Sequence, residues 1–183
     1  MALTESTPVK IGSPAPDFKL PATDGSKYSL NSFKHAKGLV VIFTCNHCPY
    51  AKASWLILIK LAEEFKPKGI DFVAINPNDE NLYPEDSIEI MKVKVQEWNI
   101  NFLYLRDESQ KIAKEYQAVC TPDIFVYDMG RKLYYHGRIN DNWQDPLKVT
   151  KQDLKNALIS LLNDNPPPTN QKPSMGCSIR WKD

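Results

Sequence analysis

Two uninterrupted apolar runs constrain this chain most. LVVIF occupies 39–43, and the stretch IDFVAIN at 70–76 is apolar almost without a break from Phe72 to Ile75. Continuous rather than alternating apolarity marks a strand covered on both faces, the habit of parallel sheets. Between the runs, Trp55, Leu58, Ile59 and Ala62 recur at helical spacing, which predicts a helix over 51–65. Strand, helix and second strand in that order imply a parallel sheet with a helix layered on it.

The rest of the chain extends that pattern. The opening, IGSPAPDFKLPATDGSKYSLNSF, is rich in Pro, Gly and Ser, and Asp24-Gly25 is a turn signal between two short extended pieces. After the second strand, NPNDENLYPEDS reads as a polar loop, and Ser87 is placed to cap a helix running to about Trp98. FLYL predicts a short strand, and Ser109 is expected to open a short helix ending near Tyr116. DIFVYD and KLYYHG flank Met129-Gly130 as two strands around a tight turn. Thr150 with Asp153 resembles a capping box, starting a helix whose Leu154, Leu158 and Leu161 share one face. NDNPPPTNQKPSMG stops that helix and is expected to form an extended arm. There is no internal repeat and no second core. The expectation is one α/β domain over 10–163 with a C-terminal arm over 164–183.

Composition excludes several function classes. A chain of 183 residues with 42% hydrophobic and 25% charged residues suits an ordinary globular domain, and its net charge of +1 offers no electrostatic case for a nucleic-acid partner. No apolar run reaches the roughly 18 residues of a membrane span. The N-terminus, MALTESTPVK, lacks a signal-peptide core. A cytoplasmic location is expected. Four cysteines in such a chain read as redox or metal chemistry rather than a secreted disulfide scaffold.

Cys45 and Cys48 directly follow the first apolar run, in TCNHCPY. The thiolate is the nucleophile in disulfide exchange, and a free thiol with a pKa near 8.5 holds little thiolate at neutral pH. A strand-to-helix turn remedies this, because a helix N-terminus stabilises an anion placed there. Pro49 suits a first helical turn. The expectation is that Cys45 is the more exposed and more acidic nucleophile, with Cys48 one turn on as resolver within disulfide reach. His47, cationic or hydrogen-bonding near the thiolate, is expected to lower its pKa further and make the disulfide more oxidising.

The motifs GSPAPDFKLPATDG, VVIF, CNHCPY, NPNDENLYPEDS, CTPDIFV and the terminal GCSIRWK together resemble the thioredoxin-like superfamily. They are similar to its peroxiredoxin-like redoxin, AhpC/TSA-related, subgroup carrying a CxxC. The resemblance covers about 11–182. It implies a three-layer sandwich with a central mixed sheet, helices on both faces and an N-terminal β extension. It also implies a cis bond between Thr121 and Pro122, placing Thr121 opposite the cysteines, where its backbone can pair with an extended substrate. It implies no cofactor. The peroxidatic spacing of the family is altered: Thr44 is kept, but Val40 stands at the proline position and His47 at the cysteine position. Dithiol–disulfide exchange therefore fits better than peroxidase activity.

Alternatives remain for the other residues. Cys120 is either a small buried hydrophobe or a third thiol beside the cis-proline loop. Cys177 is either an inert thiol of the arm or an exchange partner on an arm that folds back. Arg138 either favours a thiolate or forms a surface ion pair. The function classes are a thiol–disulfide oxidoreductase, a thiol-dependent peroxidase, and a thioredoxin-like metal chaperone using Cys45, Cys48 and His47, for which His35 and His136 are the remaining histidines. All four cysteines together match the ligand count of zinc. Expected partners are protein or small-molecule disulfides or peroxide, and a reductant such as thioredoxin or glutathione.

Overall fold

The computed structural model describes residues 3–182. Along the chain come β1 (Leu3–Glu5), β2 (Lys19–Pro21), β3 (Lys27–Ser29), β4 (Gly38–Phe43), α1 (Pro49–Phe65), β5 (Ile70–Asn76), α2 (Ile88–Glu97) and β6 (Leu103–Arg106). Then follow α3 (Lys111–Glu115), β7 (Cys120–Thr121), β8 (Asp123–Tyr127), β9 (Leu133–His136), α4 (Asp153–Leu162) and β10 (Met175–Ser178). A five-stranded sheet in the order β6-β5-β4-β8-β9 forms the centre. Its β4, β5 and β6 are parallel, whereas β8 runs antiparallel to both β4 and β9. This is the mixed sheet expected of the thioredoxin-like arrangement.

β4 is central because all of it is buried. Successive side chains point to opposite faces of a strand. Val40 and Ile42 join the core made with Trp55 and Leu58 of α1, Met91 of α2 and Leu154 and Leu158 of α4. Leu39, Val41 and Phe43 join the opposite core, with Ile112 and Ala113 of α3 and Phe18 and Leu20 of the N-terminal extension. Each large apolar side chain so buried contributes about 1.5–3 kcal/mol. Two cores with helices on both sides complete the three layers. Among the described residues, no helix is long and apolar enough to cross a membrane.

Gly25 takes φ +87 at the β2–β3 turn, and the Ser87 hydroxyl accepts from the Ile90 N–H at 3.5 Å. Two caps are corrected. Gln110, at φ 61, is the N-cap of α3 rather than Ser109. Its side-chain amide donates to the carbonyls of Pro77 and Arg180, each at 2.7 Å, so a long-range tie sets that turn. Thr150 caps nothing. Its hydroxyl is bonded to Asp141, and Gln152 precedes α4 without a side-chain cap.

Residues 164–182 return across the domain. β10 is inserted between β1 and β7 in a separate three-stranded sheet, with both pairings antiparallel.

Candidate active site

The CxxC loop begins where β4 ends. The Thr44 N–H still donates to the Ile75 carbonyl at 3.0 Å, and beyond it Asp86 takes over as anchor. The Asn46 N–H donates to Asp86 Oδ1 at 2.6 Å, and the Asn46 side-chain amide donates to the Glu85 carbonyl at 2.7 Å. Asp86 also receives the Asn76 and Asn78 amides at 3.2 and 2.9 Å, and His47 Nδ1 lies 2.5 Å from its Oδ2. The Tyr104 hydroxyl donates to Asn46 Oδ1 at 3.1 Å. Burial pushes the Asp86 carboxyl up, but its donors, His47 first, outweigh burial and hold it below the usual range. Asp86 thus remains a buried anion.

His47 Nδ1 faces this carboxylate. Its ring stacks on Tyr83 at 3.9 Å and 18°, and its Nε2 is buried without a partner.

Cys45 and Cys48 are both fully buried and share a hydrogen bond. Cys45 Sγ lies 3.3 Å from Thr121 Oγ1, and Cys48 Sγ lies 3.4 Å from the Thr121 carbonyl oxygen. The Thr121-Pro122 bond is cis. The expected order of acidity is reversed. Burial raises the Cys45 thiol well above its usual range, reinforced by the bond to Cys48 and the Asp86 charge. Cys48 is lowered to about 5, chiefly by the hydrogen bond from Cys45, which burial opposes and Cys177 assists. Cys48, not Cys45, is the N-cap residue of α1. No side-chain capping bond closes there, and the Ala51 and Cys177 amides make smaller contributions. The physical reason for the reversal is burial first: Cys45 is the more deeply desolvated thiol and donates to Cys48, so the shared thiolate sits on Cys48, and the Asp86 charge beside Cys45 adds to that bias. Nor is Cys45 the more exposed of the two, since neither sulphur reaches solvent.

The other predicted residues divide. Cys177 comes to the site, its Sγ 2.6 Å from Cys48 Sγ. Thr44 adjoins Cys45, its hydroxyl buried and unpartnered. Cys120 is buried beside the cis bond, its Sγ 3.8 Å from the Pro122 carbonyl oxygen, and burial raises its pKa strongly. Arg138 Nε pairs with Asp153 Oδ2 at 2.9 Å. Arg138 nevertheless helps line a cavity of about 340 Å³ beside the site, with Tyr50, Ser54, Pro122, Trp143 and Met175.

Metal-binding side chains gather differently from either sequence expectation. Among the described residues the one such cluster is Cys45, His47 and Asp86, with ligand atoms within 4.8 Å of one another. The four cysteines form no such group. Asp86 is already filled by hydrogen bonds, and three ligands fall short of a closed tetrahedral site.

Asp86, Asn76, Asn78 and Tyr104 were not singled out from sequence. The signal available was NPNDENLYPEDS itself, whose dense Asn and Asp content resembles a solvated loop. Here Asn76, Asn78 and Asp86 are buried.

The profile of the AhpC/TSA family matches residues 11–136. A crystal structure of an uncharacterized conserved protein from Geobacillus kaustophilus is similar over 100% of this chain and 97% of its own, at TM-score 0.95 and 43% identity. Thiol-disulfide oxidoreductase ResA of Bacillus thuringiensis subsp. konkukian is 24% identical over 130 residues, 71% of this chain and 70% of that protein. The crystal structure of peroxidoxin BcpB from Mycobacterium tuberculosis shares the fold at TM-score 0.61 and 18% identity, covering 83% of this chain and 96% of its own.

Proposed function

The chain belongs to the AhpC/TSA family, and within it we propose that this protein is a thiol–disulfide oxidoreductase working through Cys45 and Cys48. The observation that carries this reading is the placement of both sulphurs against Thr121, 3.3 Å from its hydroxyl and 3.4 Å from its carbonyl, at the residue before the cis bond. An extended disulfide substrate paired with that backbone brings its own sulphur onto the pair.

Charge assigns the roles. The Cys48 thiolate attacks one sulphur of the substrate disulfide, forming a mixed disulfide and releasing the other as a thiolate. Cys45 gives its proton to that leaving thiolate and attacks Cys48 Sγ. The second substrate thiol departs, and a Cys45–Cys48 disulfide remains. The substrate has gained two electrons, and a reductant such as thioredoxin or glutathione restores the pair. Thr121 and the cis Pro122 position the substrate, His47 and Asp86 hold the loop, and Arg138 lines its approach. A reducing compartment such as the cytoplasm is the setting in which the pair rests as thiol and thiolate; cell fractionation checks that part of the proposal.

A thiol peroxidase is the second reading. It is favoured by the unpartnered Thr44 hydroxyl next to Cys45, a donor suited to a peroxide oxygen, and by sulphurs buried beyond the reach of bulky substrates. Stopped-flow oxidation by an oxidised dithiol and by hydrogen peroxide, at matched concentrations, separates the two. Exchange predicts the faster reaction with the dithiol, its loss in Cys48→Ser, and a trapped mixed disulfide when both Cys45 and Cys177 are replaced by serine. A peroxide reaction faster by orders of magnitude establishes the peroxidase instead.

A further inference from the structure

The exchange reading uses two sulphurs, yet the structure brings a third to the same place. β10 pairs with β7 in the register Cys177↔Thr121, so this strand of the protein's own arm lies on the backbone offered to substrate. Cys177 is 3% exposed, and its Sγ stands 2.6 Å from Cys48 Sγ. That is too long for a disulfide of about 2.05 Å.

The approach is built into the sequence. A Cβ on Gly176 would meet the Thr121 carbonyl oxygen at 2.0 Å and its carbonyl carbon at 2.5 Å. Only glycine lets the strand sit this deep. Both flanks are fastened. Ser174 exchanges two bonds with Ser6, at 2.9 and 3.0 Å. The Ile179 N–H donates to the Val119 carbonyl at 2.9 Å, and the Arg180 N–H donates to Asn78 Oδ1 at 2.9 Å.

We propose that Cys177 is a third redox cysteine, a built-in substrate mimic that receives the disulfide from the CxxC pair and latches β10 over the site. The inference rests on the exchange reading for the oxidation of that pair. Once Cys45–Cys48 is a disulfide, Cys177 loses its proton and attacks Cys48 Sγ. The Cys48–Cys177 bond forms and the Cys45–Cys48 bond breaks. The electron pair leaves with Cys45, which takes up a proton. No net oxidation occurs, so no further reactant is needed.

The electrostatics favour this direction. In the reduced protein Cys177 is raised to about 12, by burial first and then by its bond to the Cys48 thiolate and by that charge. Oxidation of Cys48 removes both of the latter causes, while the neighbouring Arg180 continues to favour a Cys177 thiolate. Cys45 has the opposite bias, held protonated by burial and Asp86, which suits the thiol that is released.

The test is disulfide mapping. The reduced full chain is oxidised with a stoichiometric oxidised dithiol. Remaining thiols are alkylated, and the unreduced digest is read by peptide mass. The expected product is a peptide joining Cys48 to Cys177, with Cys45 and Cys120 alkylated. In Cys177→Ser that cross-link is lost and the disulfide reverts to Cys45–Cys48. The wild-type map decides even where this variant fails to fold. A wild-type disulfide confined to Cys45–Cys48, with Cys177 alkylated, overturns the inference and leaves the exchange reading standing. A wild-type chain that forms no disulfide overturns both.

Discussion

Two buried histidine–carboxylate pairs in this protein have opposite electrostatic outcomes. His47 Nδ1 meets Asp86 Oδ2 at 2.5 Å, and His136 Nε2 meets Asp123 Oδ1 at 2.9 Å. Both carboxylates are fully buried in side chain, and both histidines stack on an aromatic ring, Tyr83 and Phe125 respectively. Asp86 is held below its usual pKa and Asp123 above it. The difference lies in the other donors. Asp86 receives three from Asn46, Asn76 and Asn78, whereas Asp123 Oδ2 has no partner. Burial alone pushes a carboxyl toward its neutral form, and hydrogen bonds to the charged form decide whether it yields. The charge that survives at Asp86 adds to the burial that keeps Cys45 protonated.

The strongest way to break this comparison is Asp86→Ala. It strands the Asn46, Asn76 and Asn78 donors that Asp86 accepts, at about 1–3 kcal/mol for each buried group left unsatisfied, and urea unfolding of the reduced protein is expected to show a loss of about 3 kcal/mol or more. A loss below about 1 kcal/mol, the scale of an exposed pair, would mean that Asp86 is not the anchor of the loop. Asp86→Asn keeps the shape and removes the charge. The Cys45 pKa is then expected to fall toward that of Cys48. Thiolate absorbance reads this as a second step moving down toward the wild-type step at about 5, which Cys48→Ser should abolish.

The pH dependence of stability sharpens the contrast. Asp123 has a raised folded pKa, so between 3.8 and that value the folded chain binds a proton that the unfolded chain lacks. Its contribution declines as pH rises through that window. Asp86 has a lowered folded pKa, so its contribution is full above 3.8 and is lost as pH falls through the folded value. Relative to wild type, Asp123→Asn should therefore gain stability as pH rises above 3.8, whereas Asp86→Asn should lose it as pH rises toward 3.8. Parallel curves for the two variants would refute the assignment. The smallest effect expected is that of Tyr83→Ala, which removes the ring under His47. A loss of about 0.5–1.5 kcal/mol beyond the buried area is anticipated, measured by a double-mutant cycle with His47→Ala.

These contrasts also mark what could be read in advance. The β4 and β5 strands were legible because a run apolar on both faces has few other homes. The CxxC was legible because three residues of local sequence define it. Asp86 was not, since the donors that keep it charged come from the distant CxxC loop, at 46 and 47, as well as from 76 and 78. Its own loop carries the composition of a solvated turn. The order of the thiols was not legible for the same reason: a helix N-terminus is visible in sequence, whereas the burial that keeps Cys45 protonated exists only after folding. Ser109 and Thr150 failed because a cap is a local preference that one long-range tie, from Gln110 or Asp141, overrides.

The fit at Gly176 has a kinetic consequence. A strand packed so closely that a single methyl group would strike the Thr121 carbonyl leaves no intermediate opening through which reagents of different size can be sorted. Access to Cys48 is all or none, set by the departure of β10 from β7. Small and bulky thiol reagents in excess are therefore expected to label reduced Cys48 at one common rate, independent of their concentration, in the limit where labelling outruns reclosing. Gly176→Ala should raise that common rate without restoring any dependence on size.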